Sequence, residues 1–202
     1  MRIEKLLPPA QPGRPWTVAL EGGKTLRVPE GTVVSFSLYA GQTLGEADVQ
    51  ALQEAAFLTA LRENTARQLS QRLLSTGQVR KKLQHAGATE AQAAEIVAWA
   101  VDIGLLNDED YAKALARHYQ ARGYGLYKIK DELYRRQVPR ACWDEALDGL
   151  EDPSEAIDAF LARRVQDPAD PKQLKKASDA LVRRGFSWRQ VADGVDRLRR
   201  DL

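Results

Sequence analysis

The side chains suited to covalent or acid–base chemistry are few and scattered. The chain has two histidines, His85 and His118, and one cysteine, Cys142. The histidines fall in separate helical stretches and His118 follows Arg117, so both read as surface or partly buried residues rather than a catalytic pair. Cys142 precedes Trp143 in an apolar segment and reads as a buried, inert thiol. Asp108-Glu109-Asp110 offers three carboxylates to a metal, but at a helix start such carboxylates serve the free amides of the first turn and the positive end of the dipole. Gly123-Tyr124-Gly125 has neither the dinucleotide-binding nor the P-loop spacing and reads as a joint between helices. No catalytic, metal-binding or cofactor-binding residue is assigned, and no enzymatic activity is expected.

Positive charge is the stronger signal. The whole chain carries only +2, yet between Tyr111 and Arg140 eight basic residues stand against two acidic ones, a local +6. Residues 62–87 and 172–189 each carry six basic residues against one acidic, a local +5. Singly, each of these reads as solvated surface, and Asp131–Arg135 and Glu132–Arg136 are ordinary i,i+4 pairs. Three basic segments in one repeat register instead point to a cationic face that follows an extended anionic partner and binds it salt-dependently. The candidate contacts are Arg80, Lys81, Lys82, Arg117, Arg122, Lys128, Lys130, Arg135, Arg183 and Arg184. Tyr124 and Tyr127, which flank glycine beside Arg122 and Lys128, are candidate aromatic contacts.

The elements that position these residues are mostly helices. From Glu46 the apolar period is helical, with Val49, Leu52, Ala56 and Ala60 on one stripe and Phe57 and Leu61 beside it. Ser75-Thr-Gly-Gln78 and Thr89-Glu-Ala-Gln92 are capping boxes that open two further helices, the first stopping at Gly87. Asn107 or Asp108 caps the next helix, with Asp110 reciprocating, and Ile129 and Leu133 begin another after the glycine joint. Val138-Pro139 starts a third, whose buried face is Trp143, Ala146, Leu147 and Leu150. Asp152-Pro-Ser-Glu155, Asp167-Pro-Ala-Asp-Pro171 and Ser187-Trp-Arg-Gln190 open the last three. Leu83, Leu133 and Leu181 lie four residues before Gly87, Gln137 and Gly185, at spacings of 50 and 48. Ten residues after each leucine come Ala93, Trp143 and Val191, and fourteen after come Val97, Leu147 and Val195. The pattern predicts three tandem three-helix repeats, over 45–104, 105–151 and 152–202, in an elongated or curved array.

Residues 1–44 differ. They hold five of the nine prolines, and Trp16–Leu20, a Glu21-Gly-Gly-Lys24 turn and Leu26–Val28 predict a hairpin, with 33–38 as a third strand. A small N-terminal β element is expected, too small to stand alone. No apolar run approaches the roughly 20 residues of a membrane span, and the N-terminus has no apolar segment of the signal-peptide kind. A cytoplasmic monomer is expected.

Several of these short patterns resemble one family. Leu105-Leu-Asn-Asp108, Tyr111-Ala112 and Gly125-x-x-Lys-Ile129-x-x-x-Leu133 look like the middle-repeat signature of RecX, the bacterial regulator of RecA. Ser75-x-x-Gln78-Val79-x-x-x-Leu83-x-x-x-Gly87 is similar to the first-repeat pattern, with Gln78 where the family has glutamate, and Leu38-x-x-Gly41-x-x-Leu44 resembles the leader of many members. Gln137 stands where a glycine normally ends the helix. The resemblance implies a non-enzymatic modulator that lies in the groove of the RecA–DNA filament and inhibits strand exchange, ATP hydrolysis and co-protease activity in recombination and DNA repair. The basic segments equally fit a stand-alone DNA-binding module that acts without a recombinase, and a helical scaffold for proteins alone predicts no effect on DNA.

Overall fold

The computed structural model describes residues 1–200. Strands β1 (Ile3–Leu7), β2 (Trp16–Leu20) and β3 (Thr25–Val28) form an antiparallel sheet in that order. The expected hairpin is β2–β3, with Trp16 opposite Val28 and both turn glycines at positive φ. Where a strand is expected over 33–38, residues 33–35 instead end a short helix, α1 (Glu30–Ser35), and 36–37 form a turn. Pro29 enters the helix extended and its carbonyl accepts from Thr32 and Val33, while Ser37 at φ +47 closes its end. Val33 is buried beside an exposed Val34. Residues 41–44 run along the outer edge of β1: Ile3 donates to the Gln42 carbonyl and Gly41 donates to that of Ile3.

Ile3, Val18, Leu20 and Val28 form a core with Val49 and Leu52 of α2 (Glu46–Gln71). The stripe expected along α2 is not continuous. Ala60 is exposed and Phe57 is 37% exposed, whereas Leu61 and Thr65 are buried. At 3.6 residues per turn Leu61 lies about half a turn around the axis from Leu52, so the two ends of this 26-residue helix bury opposite sides. Arg27 of β3 holds Glu63 of α2 through two hydrogen bonds.

Contacts group the chain into two compact units, Met1–Arg72 with Lys82–Leu105, and Leu73–Lys81 with the chain from Leu106 onward. Helix α3 (Thr76–His85) thus contributes its first turns to the second unit. In the first unit, α4 (Glu90–Asp102) buries Ala93, Ile96, Val97 and Ala100 behind the expected Thr89–Gln92 box.

The second unit holds two full repeats. One comprises α5 (Asp108–Ala121), α6 (Leu126–Arg135), a 3₁₀ turn (Arg140–Cys142) and α7 (Trp143–Asp148). The other comprises α8 (Ser154–Arg164), α9 (Pro171–Arg183) and α10 (Trp188–Arg200). Pro139 lies ahead of the 3₁₀ turn at ψ 137°, so the helix expected at Pro139 begins only at Trp143. The repeat register holds. Leu83, Leu133 and Leu181 are buried, as are Ala93, Trp143 and Val191. Among the described residues no helix is long and apolar enough to cross a membrane.

Candidate functional site

Each repeat's middle helix ends with a residue at positive φ: Gly87 at +94°, Gln137 at +55° and Gly185 at +93°. A left-handed residue there returns the next amide to a carbonyl of the last turn. Val138 donates to Leu133, and Phe186 to Leu181. In the second unit these ends meet the starts of neighbouring middle helices. Gly125, which opens α6, donates to the Arg184 carbonyl at 2.9 Å, and Tyr127 donates to the Gly185 carbonyl at 3.0 Å. The end of α9 therefore serves free amides at the start of α6, with the two dipoles head to tail. At the other end of α6, the Ser75 hydroxyl, one residue ahead of α3, donates to the Arg136 carbonyl at 2.5 Å. Ser75 corresponds to Gly125 and Arg136 to Arg184 in the repeat register. The middle helices thus run end to start, from α9 to α6 to the first turns of α3, and these are the basic helices.

Close approach at both joints depends on glycine. A Cβ on Gly125 would overlap the Gly185 carbonyl, and one on Gly77 would overlap the Gln137 carbonyl. Carboxylate chemistry assists. Asn107 caps α5 by accepting from Glu109 and Asp110, and its amide donates to the Asp110 side chain. Asp108 instead accepts from the Thr76 amide at 2.9 Å and the Thr76 hydroxyl at 2.5 Å, so it caps α3 rather than its own helix.

The candidate cations divide by what they touch. Arg80, Lys81, Lys82, Arg117, Arg122, Lys130, Arg135 and Arg183 are exposed. Of these, Arg117, Arg122, Lys130 and Arg183 form no ion pair among the described residues. Lys128 is half-buried, with Nζ 3.2 Å from both Asp131 and Glu132, and these partners raise its pKa. Arg135 reaches Glu132 at 3.2 Å, not Asp131 as the i,i+4 spacing suggested. Arg184 belongs to the joint: it donates to the Gly123 carbonyl and lies 4.9 Å over the Phe160 ring and 5.7 Å over that of Tyr124. Tyr124 is accordingly half-buried, packed between Arg184 and Tyr119, whereas Tyr127 is 64% exposed.

Glu132 and Arg136 matter more than their sequence reading as a surface pair. Glu132 is buried, and burial raises its pKa, but hydrogen bonding by Lys128 and the charges of Lys128 and Arg135 outweigh it and hold the carboxyl below the usual range. Arg136 donates to the Tyr111 hydroxyl at 3.1 Å, which holds the guanidinium pKa up. Tyr111 in turn reaches Gln78 in the first turns of α3 at 3.5 Å. The signal was present: Glu132 stands at i+3 from Ile129, on the apolar stripe. Cys142 is half-buried rather than buried, and burial, with the charges of Asp108, Glu109 and Glu145, raises its pKa and disfavours the thiolate.

A family model described as RecX, second three-helix domain, matches residues 107–147, the span of α5 to α7. The regulatory protein RecX of Chromohalobacter salexigens is 31% identical over 132 residues, which cover 64% of this chain and 87% of that protein. The regulatory protein RecX of Halorhodospira halophila is 31% identical over 70% of this chain and 84% of its own length. A crystal structure of a regulatory protein RecX superposes with a TM-score of 0.75 over 96% of this chain and 98% of its own, at 20% identity. The crystal structure of RecX from Lactobacillus salivarius gives a TM-score of 0.64 over 70% of this chain and 96% of its own, at 21% identity. The same repeat whose middle helix is held at both ends is the one the family model matches, and its relatives align over more than four-fifths of their own length: the chain belongs to the RecX family.

Proposed function

We propose that this protein regulates a RecA recombinase by lying in the groove of the RecA–DNA filament, where it suppresses ATP hydrolysis, strand exchange and co-protease activity. It acts as a non-enzymatic monomer in the cytoplasm, without a cofactor, and touches DNA weakly and salt-dependently. The observation that carries this reading is the end-to-start joining of the basic middle helices. A filament is an extended, repeating partner with DNA inside, and a line of joined helices bearing exposed arginine and lysine side chains suits such a partner better than it suits a compact ligand. Within the candidate set, Arg117, Arg122, Lys130 and Arg183 are the contacts that carry most, because they have no internal ion partner among the described residues. Lys128, Arg135 and Arg184 support the surface and make less of the contact.

The test is inhibition of recombinase ATP hydrolysis on single-stranded DNA. Charge reversal at Arg122, Lys130 and Arg183 should weaken inhibition at least tenfold with unchanged helicity, and unaltered inhibition would remove these residues from the contact. A stand-alone DNA-binding mode predicts that bare DNA binds as tightly as the filament at physiological salt and that affinity falls steeply as salt rises.

A further inference from the structure

The first unit holds a groove of about 1050 Å³ that the joined helices do not use. One wall is the β1–β2 connection with Pro8, Pro9 and Pro15, the other is α2 from Thr59 to Ser70, and Trp99 of α4 also lines it. Four arginines face into it. Arg27 is taken up by Glu63. Arg62 reaches Glu95 and lies 6.0 Å over the Trp99 ring, yet its Nε is buried without a hydrogen-bond partner. Arg14 and Arg67 are exposed and form no ion pair among the described residues. Glu30 is the only other acid in the lining. The groove therefore combines surplus positive charge, an indole and one proline-rich wall.

We propose that this groove binds a segment of single-stranded nucleic acid, with phosphates on Arg14, Arg62 and Arg67 and a base against Trp99. Phosphate oxygens suit arginine forks, and unstacked bases suit an indole. A duplex hides its base faces from Trp99, and an acidic peptide leaves the indole without use. The α2 wall from Thr59 to Ser70 spans about 16 Å at 1.5 Å per residue, longer than one nucleotide needs.

The experiment uses the full chain and fluorescein-labelled oligo(dT), followed by anisotropy at several salt concentrations. The R14A/R67A variant should bind about tenfold more weakly, with the salt slope reduced by about 1.4, since each single-strand phosphate contact contributes about 0.7. R67K should restore most of the affinity in an R67A background, and W99F should remove the tryptophan quenching that oligo(dT) causes. Arg14 and Arg67 are exposed, so circular dichroism and melting should be unchanged. Oligo(dT) binding that keeps its affinity and slope in R14A/R67A overturns the proposal, whatever the filament assays give. So does competition by dTMP as strong as that by the oligonucleotide, which would make this a mononucleotide site, or stronger quenching by a polyglutamate peptide.

Discussion

The two ends of α6 solve one packing problem in opposite ways. At its start, the left-handed residue of the incoming helix is Gly185 and the receiving residue is Gly125, so two backbones meet with no side chain between them. At its end, the left-handed residue is Gln137, which costs about 1 kcal/mol in a non-glycine residue. The space is recovered on the other side, where Gly77 faces the Gln137 carbonyl and Cβ. Ser75 occupies the position of Gly125 and uses its hydroxyl where Gly125 uses its amide. The joint requires a gap at the point of approach and one donor to the penultimate carbonyl, and does not fix which partner supplies either.

The most damaging change falls at the start of α6. Gly125→Ala places a methyl against backbone that cannot swing aside, and should cost about 3 kcal/mol, the upper range for overpacking. Gly77→Ala meets the Gln137 carbonyl oxygen and Cβ, whereas Gly125→Ala meets three backbone atoms at closer range, so Gly77→Ala should cost less, and a larger loss for it in urea unfolding would break the proposed asymmetry. Asp108→Ala removes the carboxylate that caps α3 across the joint and should cost about 1.5 kcal/mol. Native-state hydrogen exchange should show that loss in the α3 and α5 amides and leave the α6–α9 joint protected. Gln137→Gly relieves the left-handed strain and should raise stability by about 0.5–1 kcal/mol, which thermal unfolding would register, whereas Gly185→Ala should destabilise.

The smallest effect is on pH. The Glu132 carboxyl is held below its ordinary range when folded, so its contribution is present above the unfolded carboxylate pKa and is lost as pH falls through the folded value. Stability should therefore fall on acidification through and below the ordinary carboxylate range, and the fall should be shallower in Glu132→Gln. Parallel acid titrations of the two proteins would show this.

Features that depend on neighbouring residues were legible in the sequence. The boxes at Ser75–Gln78, Thr89–Gln92 and Ser187–Gln190 all form, and the leucine register predicts three equivalent buried positions. The joints were not legible, because Ser75 meets Arg136 and Arg184 meets Gly123 across 61 residues each, and no local pattern encodes such a pairing. The stretch Val33-Val-Ser-Phe-Ser-Leu38 suits either period, and no local pattern in it chooses the helix that forms over its first three residues. Of the candidate cations, sequence located the basic helices but did not separate Arg122 and Lys130, which are exposed and form no ion pair among the described residues, from Arg184, which holds a joint together.

Co-sedimentation with RecA filaments on single-stranded DNA, beside the same DNA without recombinase, tests the central claim most directly. The wild-type chain should pellet with filaments far more than with bare DNA at physiological salt. The Arg122→Glu/Lys130→Glu/Arg183→Glu variant should stay in the supernatant while keeping wild-type helicity. Equal pelleting of variant and wild type, or equal recovery on bare DNA and on filaments, would contradict the account.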